Sequence, residues 1–252
     1  MIEKVSNLYN KLFEIERKTR KLRLYPIHKR LSLPNHEDIY DFLIEHYKFE
    51  GSMNILDAGC GVGYGSIKIS EITQAIVKGI SVSPLEIHQA KQNAISHQNN
   101  KCSFEVMSFT DVPKNTYDVI ICVESLKHAI PIHPSVNSLI KALKTNGRII
   151  VVDDFYSNND ILEKAEQQLI DGWCLDKLIE IQDLPESNIN DITNYVKLKS
   201  MLSSWTKLAG LALLKPFVSS MSMDIFRSGV YLDILYQKKR MKYLICEIEK
   251  LN

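Results

Sequence analysis

The 252-residue sequence predicts an α/β fold: an open, mostly parallel sheet with helices on both faces. Three observations predict it. Strand-length apolar runs alternate with helix-length amphipathic segments. The first clear strand, from Asn54, ends in an acid and then a glycine series, Asp57-Ala58-Gly59-Cys60-Gly61-Val62-Gly63, with a helical pattern behind it. A later run, Tyr117 to Val123, is apolar apart from Asp118, as a strand buried on both faces should be, and then stops at Glu124.

Bulk properties bound the rest. The length suits one large domain, or one domain with an appended segment. A net charge of +1 with 24% charged residues gives no case for nucleic-acid binding. Apolar content of 45% is enough for a sizeable core. The five cysteines (Cys60, Cys102, Cys122, Cys174 and Cys246) are scattered without a paired spacing, so most read as small hydrophobes. No Asp/Glu/His ligand cluster stands out, so no metal is expected. The amphipathic, charged N-terminal stretch has no signal-peptide core, and no run reaches membrane-spanning length. The expectation is a cytoplasmic protein with no stable membrane insertion. An oligomer is neither implied nor excluded.

In chain order, Val5 to Leu22 carries apolar residues at Val5, Leu8, Leu12, Phe13 and Ile15, mostly at helical spacing. Arg17, Lys18, Arg20, Lys21, Arg23, His28, Lys29 and Arg30 follow, read either as a solvated face and loop or as a lid whose cations meet an anionic substrate. Tyr25-Pro26 would be its hinge. His36 to Tyr47 is a second helix, so residues 1–48 are expected to form a helical lid on a main domain spanning 49–252. Ala75 to Ser81 is the second strand. Ser83 caps a helix from Pro84 to Gln98, with proline at the tolerated first turn. Cys102 to Val106 and Tyr117 to Val123 are the third and fourth strands. A helix from Ser135 to Leu143 stops at Asn146-Gly147, and Arg148 to Val152 is the fifth strand. A helix from Asn158 to Gly172 comes next. Residues 173–223 then read as a substrate-pocket insertion: irregular from Trp173 to Leu184, helical from Ile189 to Leu198, and apolar from Met201 to Val218 with a break at Pro216. Asp224 to Gln237 is helical, and Lys242 to Ile248 closes the chain as a strand.

A strand, a tight glycine turn and a helix N-terminus bring backbone N–H groups and a positive dipole end towards a ligand. Alone, that pattern also fits nicotinamide and flavin folds. The wording Leu56-Asp57-Ala58-Gly59-Cys60-Gly61-Val62-Gly63 is sharper, and resembles the first motif of class I S-adenosylmethionine-dependent methyltransferases. The second motif, Gly79-Ile80-Ser81-Val82-Ser83-Pro84, resembles the small-molecule subgroup that includes tocopherol, cyclopropane-fatty-acid and isoprenoid-diphosphate enzymes. Serine stands there where most relatives have an acid. Val106-Met107-Ser108-Phe109 resembles the third motif, again with serine for an acid. Val123-Glu124-Ser125-Leu126-Lys127-His128 resembles the fourth, and Leu143 to Phe155 the fifth, with Asp154 at the family's acidic position.

The resemblance implies a Rossmann-like, seven-stranded sheet with an antiparallel last strand, and S-adenosylmethionine as cofactor. It places Asp57, Gly59, Cys60, Gly61, Ser81, Val82, Ser108, Phe109 and Val123 on the cofactor. A buried strand ending in Glu124 and His128 is costly unless they face a cleft. Four apart, they share one side of a helical turn, and either is a candidate base, with Asp154 orienting His128 or touching substrate. Tyr25, His28 and Trp173 are the candidate substrate contacts. The implied function is methyl transfer to a small hydrophobic or isoprenoid-like molecule. Two alternatives stand beside it: a protein or cyclase-type enzyme that binds the cofactor without transferring methyl, and an NAD-binding oxidoreductase.

Overall fold

A computed structural model describes residues 2–19, 31–157, 163–214 and 220–250. Its seven strands are β1 (Asn54–Ala58), β2 (Ile76–Ser81), β3 (Cys102–Val106), β4 (Tyr117–Val123), β5 (Leu143–Tyr156), β6 (Asn188–Asp191) and β7 (Met241–Glu249). They form one sheet in the order β3-β2-β1-β4-β5-β7-β6. β3, β2, β1, β4 and β5 are mutually parallel, while β7 runs antiparallel to both β5 and β6. β7 is thus the reversed strand. The order switches direction at β1, and open α/β sheets bind ligands beyond the strand ends at such a switch.

The described helices are α1 (Ile2–Thr19), α2 (Ile39–Tyr47), α3 (Tyr64–Thr73), α4 (Pro84–Ser96), α5 (Ile132–Ala142), α6 (Lys164–Gly172), α7 (Met201–Leu214) and α8 (Ser220–Gln237). β4 explains the two-layer cover. Val119, Ile121 and Val123 enter one core with residues of α2, α3, α6 and α8, whereas Ile120 and Cys122 enter the other with Val136 and Leu139 of α5. A period-2 side-chain alternation with apolar residues at both phases demands helices on both faces. Each fully buried Ile or Leu there contributes roughly 1.5–3 kcal/mol. Ser83 caps α4 as expected: its Oγ accepts from the Glu86 N–H at 3.2 Å, and Pro84 opens the helix.

Several elements differ from expectation; α1 starts at Ile2, α2 at Ile39 and α8 at Ser220, against the expected Val5, His36 and Asp224. Ile189 to Leu198, expected as a helix, is the short edge strand β6 followed by a 3-10 turn at Thr193–Tyr195. Every β6 residue is exposed, so no buried alternation marks it, and the apparent helical period comes from Ile192 and Val196, buried just beyond the strand. β5 begins at Leu143, before the expected Arg148. Asn146 sits in it at φ 60, a left-handed conformation that asparagine tolerates, where the pairing with β4 shifts register. α5 begins at Ile132 rather than Ser135. The apolar stretch from Met201 is helical through Leu214. Asn158, Pro216, Val218, Tyr25 and His28, with most of the N-terminal basic run, lie outside the described residues.

Candidate active site

A cavity opens at the C-terminal ends of β1, β2 and β4, and Ile2, Val5 and Tyr9 of α1 form part of its wall. The glycine turn is its floor. Gly59 stands at φ 95, and a Cβ there would lie 2.2 Å from that of Ser125, so the end of β1 meets the loop after β4 only without a side chain. Gly61, at φ 52, is the opposite case: a Cβ on it would meet nothing within 4 Å and would project into the cavity it lines. The N–H groups of Gly59 and Cys60 both donate to the Ile80 carbonyl, at 2.8 and 2.9 Å, and so tie the turn to β2. Asp57 lies behind the turn. It is buried, and its Oδ2 accepts from Ser66 Oγ of α3 at 2.6 Å.

At the end of β2, Ser81 Oγ donates to Glu86 Oε2 at 2.7 Å and accepts from the Ser83 N–H at 3.1 Å. Glu86 itself lines the cavity, from the first turn of α4. The β2 end that lacks an acid therefore still faces a carboxylate, five residues later. Ser83 Oγ donates to Asn10 Oδ1 at 2.7 Å, which anchors α1 over this wall. Val82, Met107, Ser108 and Phe109 complete it. Ser108 also caps the short 3-10 turn Phe109–Asp111.

The other end is built from side chains. Glu124 follows β4 at φ 50, a conformation rare for glutamate, and accepts at Oε1 from the Tyr243 hydroxyl of β7 at 2.8 Å. His128 faces the same cavity, and the Tyr9 ring meets its own edge to face at 5.1 Å. Protein surrounds the imidazole on its other sides. Desolvation, and then the positive charge of Lys127, push its pKa down to about 3, so it is neutral at ordinary pH. Its Nδ1 has no hydrogen-bond partner among the described residues.

Behind this wall lies a buried ionic cluster. Lys127 Nζ pairs with Asp153 at 3.1 Å and Asp154 at 2.7 Å, and the Tyr236 hydroxyl of α8 donates to the other oxygen of Asp154. Burial pushes the Asp153 carboxyl upwards, against the pull of Lys127. Trp173 closes the back, with its ring 5.1 Å from Lys127 Nζ and 6.5 Å from the His128 ring.

The fold thus brings Gly59, Cys60, Gly61, Ser81, Val82, Ser108, Phe109, Val123, Glu124 and His128 around one cavity. Asp57, Asp154 and Trp173 are not among its lining residues: Asp57 is bound by Ser66 and Asp154 by Lys127, neither of which lines it, and Trp173 stands beside His128, which does. Nor does any described residue of 173–214 or 220–223 line it, although Trp173 of that stretch stands beside His128. Sequence reasoning missed Glu86, which reads as an ordinary first-turn acid, although its place three residues after a cap was a usable signal. It also missed Tyr9, Tyr40 and Tyr243. Nothing in the sequence links Tyr243 to a glutamate 119 positions away.

Comparison with known proteins agrees with this geometry. Residues 49–209 match the family described as "Methyltransferase domain". A curated relative, the chloroplastic tocopherol O-methyltransferase of Arabidopsis thaliana, is 28% identical over 127 residues, covering 48% of this chain and 36% of that protein. The chain therefore spans only about a third of that relative's length. Among solved structures, geranyl diphosphate C-methyltransferase from Streptomyces coelicolor A3(2) superposes with a TM-score of 0.71 at 15% identity, over 99% of this chain and 97% of that one. The [4+2]-cyclase SpnF superposes with a TM-score of 0.73 at 14% identity, over 98% and 94%. At such identities the likeness is one of fold.

Proposed function

The chain belongs to the methyltransferase domain family, and on that premise we propose that it transfers a methyl group from S-adenosylmethionine to a small, uncharged, hydrophobic nucleophile. The observation that carries this reading is the charge of the cavity. Its lining residues include the carboxylates Glu86 and Glu124 and, among the described residues, no lysine or arginine. Such a site favours a cation and disfavours a diphosphate.

The residues fit the cofactor. Open space over Gly61 and the close approach at Gly59 leave a cradle for a ligand against the glycine turn. Glu86, steadied by Ser81, suits a pair of ribose hydroxyls, and Val82, Met107 and Phe109 offer apolar surface for a base. When bound, the cofactor supplies an electrophilic methyl on a sulfonium sulfur, and the sulfur keeps the C–S electron pair as the methyl leaves. The protein's share is positioning and exclusion of water, to which the wall formed by Ile2, Val5 and Tyr9 contributes. Glu124, held by Tyr243, accepts the nucleophile's proton where it carries one. His128, already neutral, orients the acceptor by hydrogen bonding; a group with its pKa near 3 is a poor proton acceptor. Asp154 acts behind the wall, by holding Lys127 and with it the loop that carries His128.

We assign the activity to small-molecule biosynthesis in the cytoplasm; among the described residues no helix is long and apolar enough to cross a membrane. The test is calorimetric titration with S-adenosylmethionine, S-adenosylhomocysteine and NAD, followed by transfer of isotope-labelled methyl to a panel of neutral hydrophobic acceptors. Binding of the first two without NAD, and labelled product, is the expected result. Cofactor binding with no methyl released to any acceptor would favour the binding or cyclase-type alternative, and no binding by folded protein would overturn the reading altogether.

A further inference from the structure

α7 turns much of its apolar surface outward. Along its solvent side run Met201, Leu202, Trp205, Ala209, Ala212 and Leu213, with Thr206 the lone polar member. Leu202 is 74% exposed, Trp205 55% and Leu213 79%, whereas Ser204 is completely buried and its hydroxyl has no partner among the described residues. A surface helix ordinarily shows the reverse arrangement. Met221 and Phe226 of α8, which packs on α7, are also nearly half exposed, which widens the apolar area. None of these side chains lines the cavity described above.

The charges of this segment of the chain have one sign, although Asp224 and Asp233 lie on the neighbouring α8. Between Asp191 and Asp224 the sequence contains no acid and four lysines, Lys197, Lys199, Lys207 and Lys215. Lys197 and Lys199 are exposed, and Lys207 lies beside Lys199, with Asp233 of α8 offsetting the pair in part. An apolar stripe with lysines at its margin matches an anionic lipid surface, where leucine and tryptophan enter the headgroup–acyl boundary and the ammoniums meet phosphates. A second copy fits less well. A two-fold interface would set each stripe against the same stripe, and its lysines against the same lysines.

We infer that α7 is a membrane-surface helix: its Leu202–Trp205–Leu213 stripe lies in the outer layer of an anionic bilayer, with Lys197 and Lys199, just before its first turn, on the headgroups. At 14 residues it is about 21 Å long, so it lies along the surface and does not span it. The docking concerns this face alone and holds whatever the reaction in the cavity.

The experiment is co-sedimentation of the full chain with phosphatidylcholine vesicles, with and without phosphatidylserine, and no methyl donor or acceptor present. The protein should sediment with the mixed vesicles, less so at high salt, and Trp205 emission should shift to the blue, a shift absent in Trp205→Ser. Replacing Leu202, Trp205 and Leu213 together by serine should lower partitioning at least tenfold without lowering the melting temperature, since all three are exposed. Lys197→Gln with Lys199→Gln should lower it about tenfold for the anionic vesicles only. Three results would overturn the inference: wild-type protein left in the supernatant with both vesicle types, a triple variant that sediments like wild type, or a dimer in analytical ultracentrifugation that the triple variant abolishes. The last would assign the stripe to a second copy.

Discussion

The two ends of the cavity are made differently. At the glycine-turn end the shape comes from backbone: Gly59 and Gly61 take left-handed conformations, and the contacts that hold the turn, from Gly59 and Cys60 to Ile80 and from Ser66 to Asp57, join segments close in sequence. At the Glu124–His128 end the shape comes from buried side chains held by residues far away, Tyr243 on β7 and Tyr236 on α8. The first end is fixed at Gly59, where a Cβ has nowhere to go. The second is held by side-chain pairs, Tyr243 with Glu124 and Lys127 and Tyr236 with Asp154, which makes it tunable and also easier to damage selectively.

The sharpest contrast lies within the turn itself. Gly59→Ala combines a left-handed φ, costing about 1–2 kcal/mol, with a clash against Ser125 that costs about another 1–3 kcal/mol; the total should appear in urea unfolding, with cofactor binding lost. Gly61→Ala meets open space, so only the conformational part, about 1 kcal/mol, should remain, while the new methyl projects into the cavity and weakens cofactor affinity. Equal destabilisation by both would mean that the close approach of β1 and the loop after β4 is not what the glycine serves.

Next comes a change at the other end that should leave the first untouched. Glu124→Gln keeps shape and loses the proton acceptor, so kcat should fall by about 10²–10⁴ for an acceptor that must lose a proton, with cofactor affinity within a few-fold of wild type. Tyr243→Phe removes the hydroxyl that holds Glu124. About 1 kcal/mol of stability and about tenfold in kcat should go with it, at an unchanged KM. If instead cofactor binding collapses in either variant, the two ends are one unit.

The pH response should also belong to one end. The folded-state pKa of His128, about 3, lies below its ordinary value near 6.5. The unfolded chain therefore binds the extra proton first as pH falls, and stability that is complete above pH 6.5 is lost towards pH 3, at up to about 1.4 kcal/mol per pH unit. Chemical denaturation across that window should show His128→Gln with a flatter slope than wild type. Parallel slopes would mean that the imidazole charges without penalty.

This difference in construction explains what the sequence reveals. The strands with apolar residues at both phases, the glycine turn and the Ser83 cap are local patterns, and all were legible. β6 was not, because a fully exposed edge strand of four residues carries no alternation, and its pairing with β7 is a tertiary fact. Among the site residues, those on strand ends were legible, and so was the face shared by Glu124 and His128. The removal of Asp154 and Trp173 to the back of the wall was not, since it depends on where Lys127 turns once buried. A motif marks where chemistry gathers; which member faces the cavity is decided by packing.

Ser81 and Glu86 sharpen that point at the smallest scale. The sequence puts a serine where an acid is usual and suggests a neutral contact in its place, yet the structure turns Ser81 Oγ onto Glu86 Oε2 and leaves the carboxylate as the charged group on the cavity. The serine then acts through the glutamate. Ser81→Ala should weaken cofactor binding only by the worth of one neutral-to-charged hydrogen bond, about ten- to a hundredfold, whereas Glu86→Gln should cost more, because it removes the negative charge. Ser81→Asp should not rescue the site despite restoring the usual acid, because its carboxylate would stand against that of Glu86 at hydrogen-bond distance. Calorimetry on the three variants ranks them. If Ser81→Asp binds more tightly than wild type, the serine occupies the acid's own position, and Glu86 is only the first-turn acid of α4.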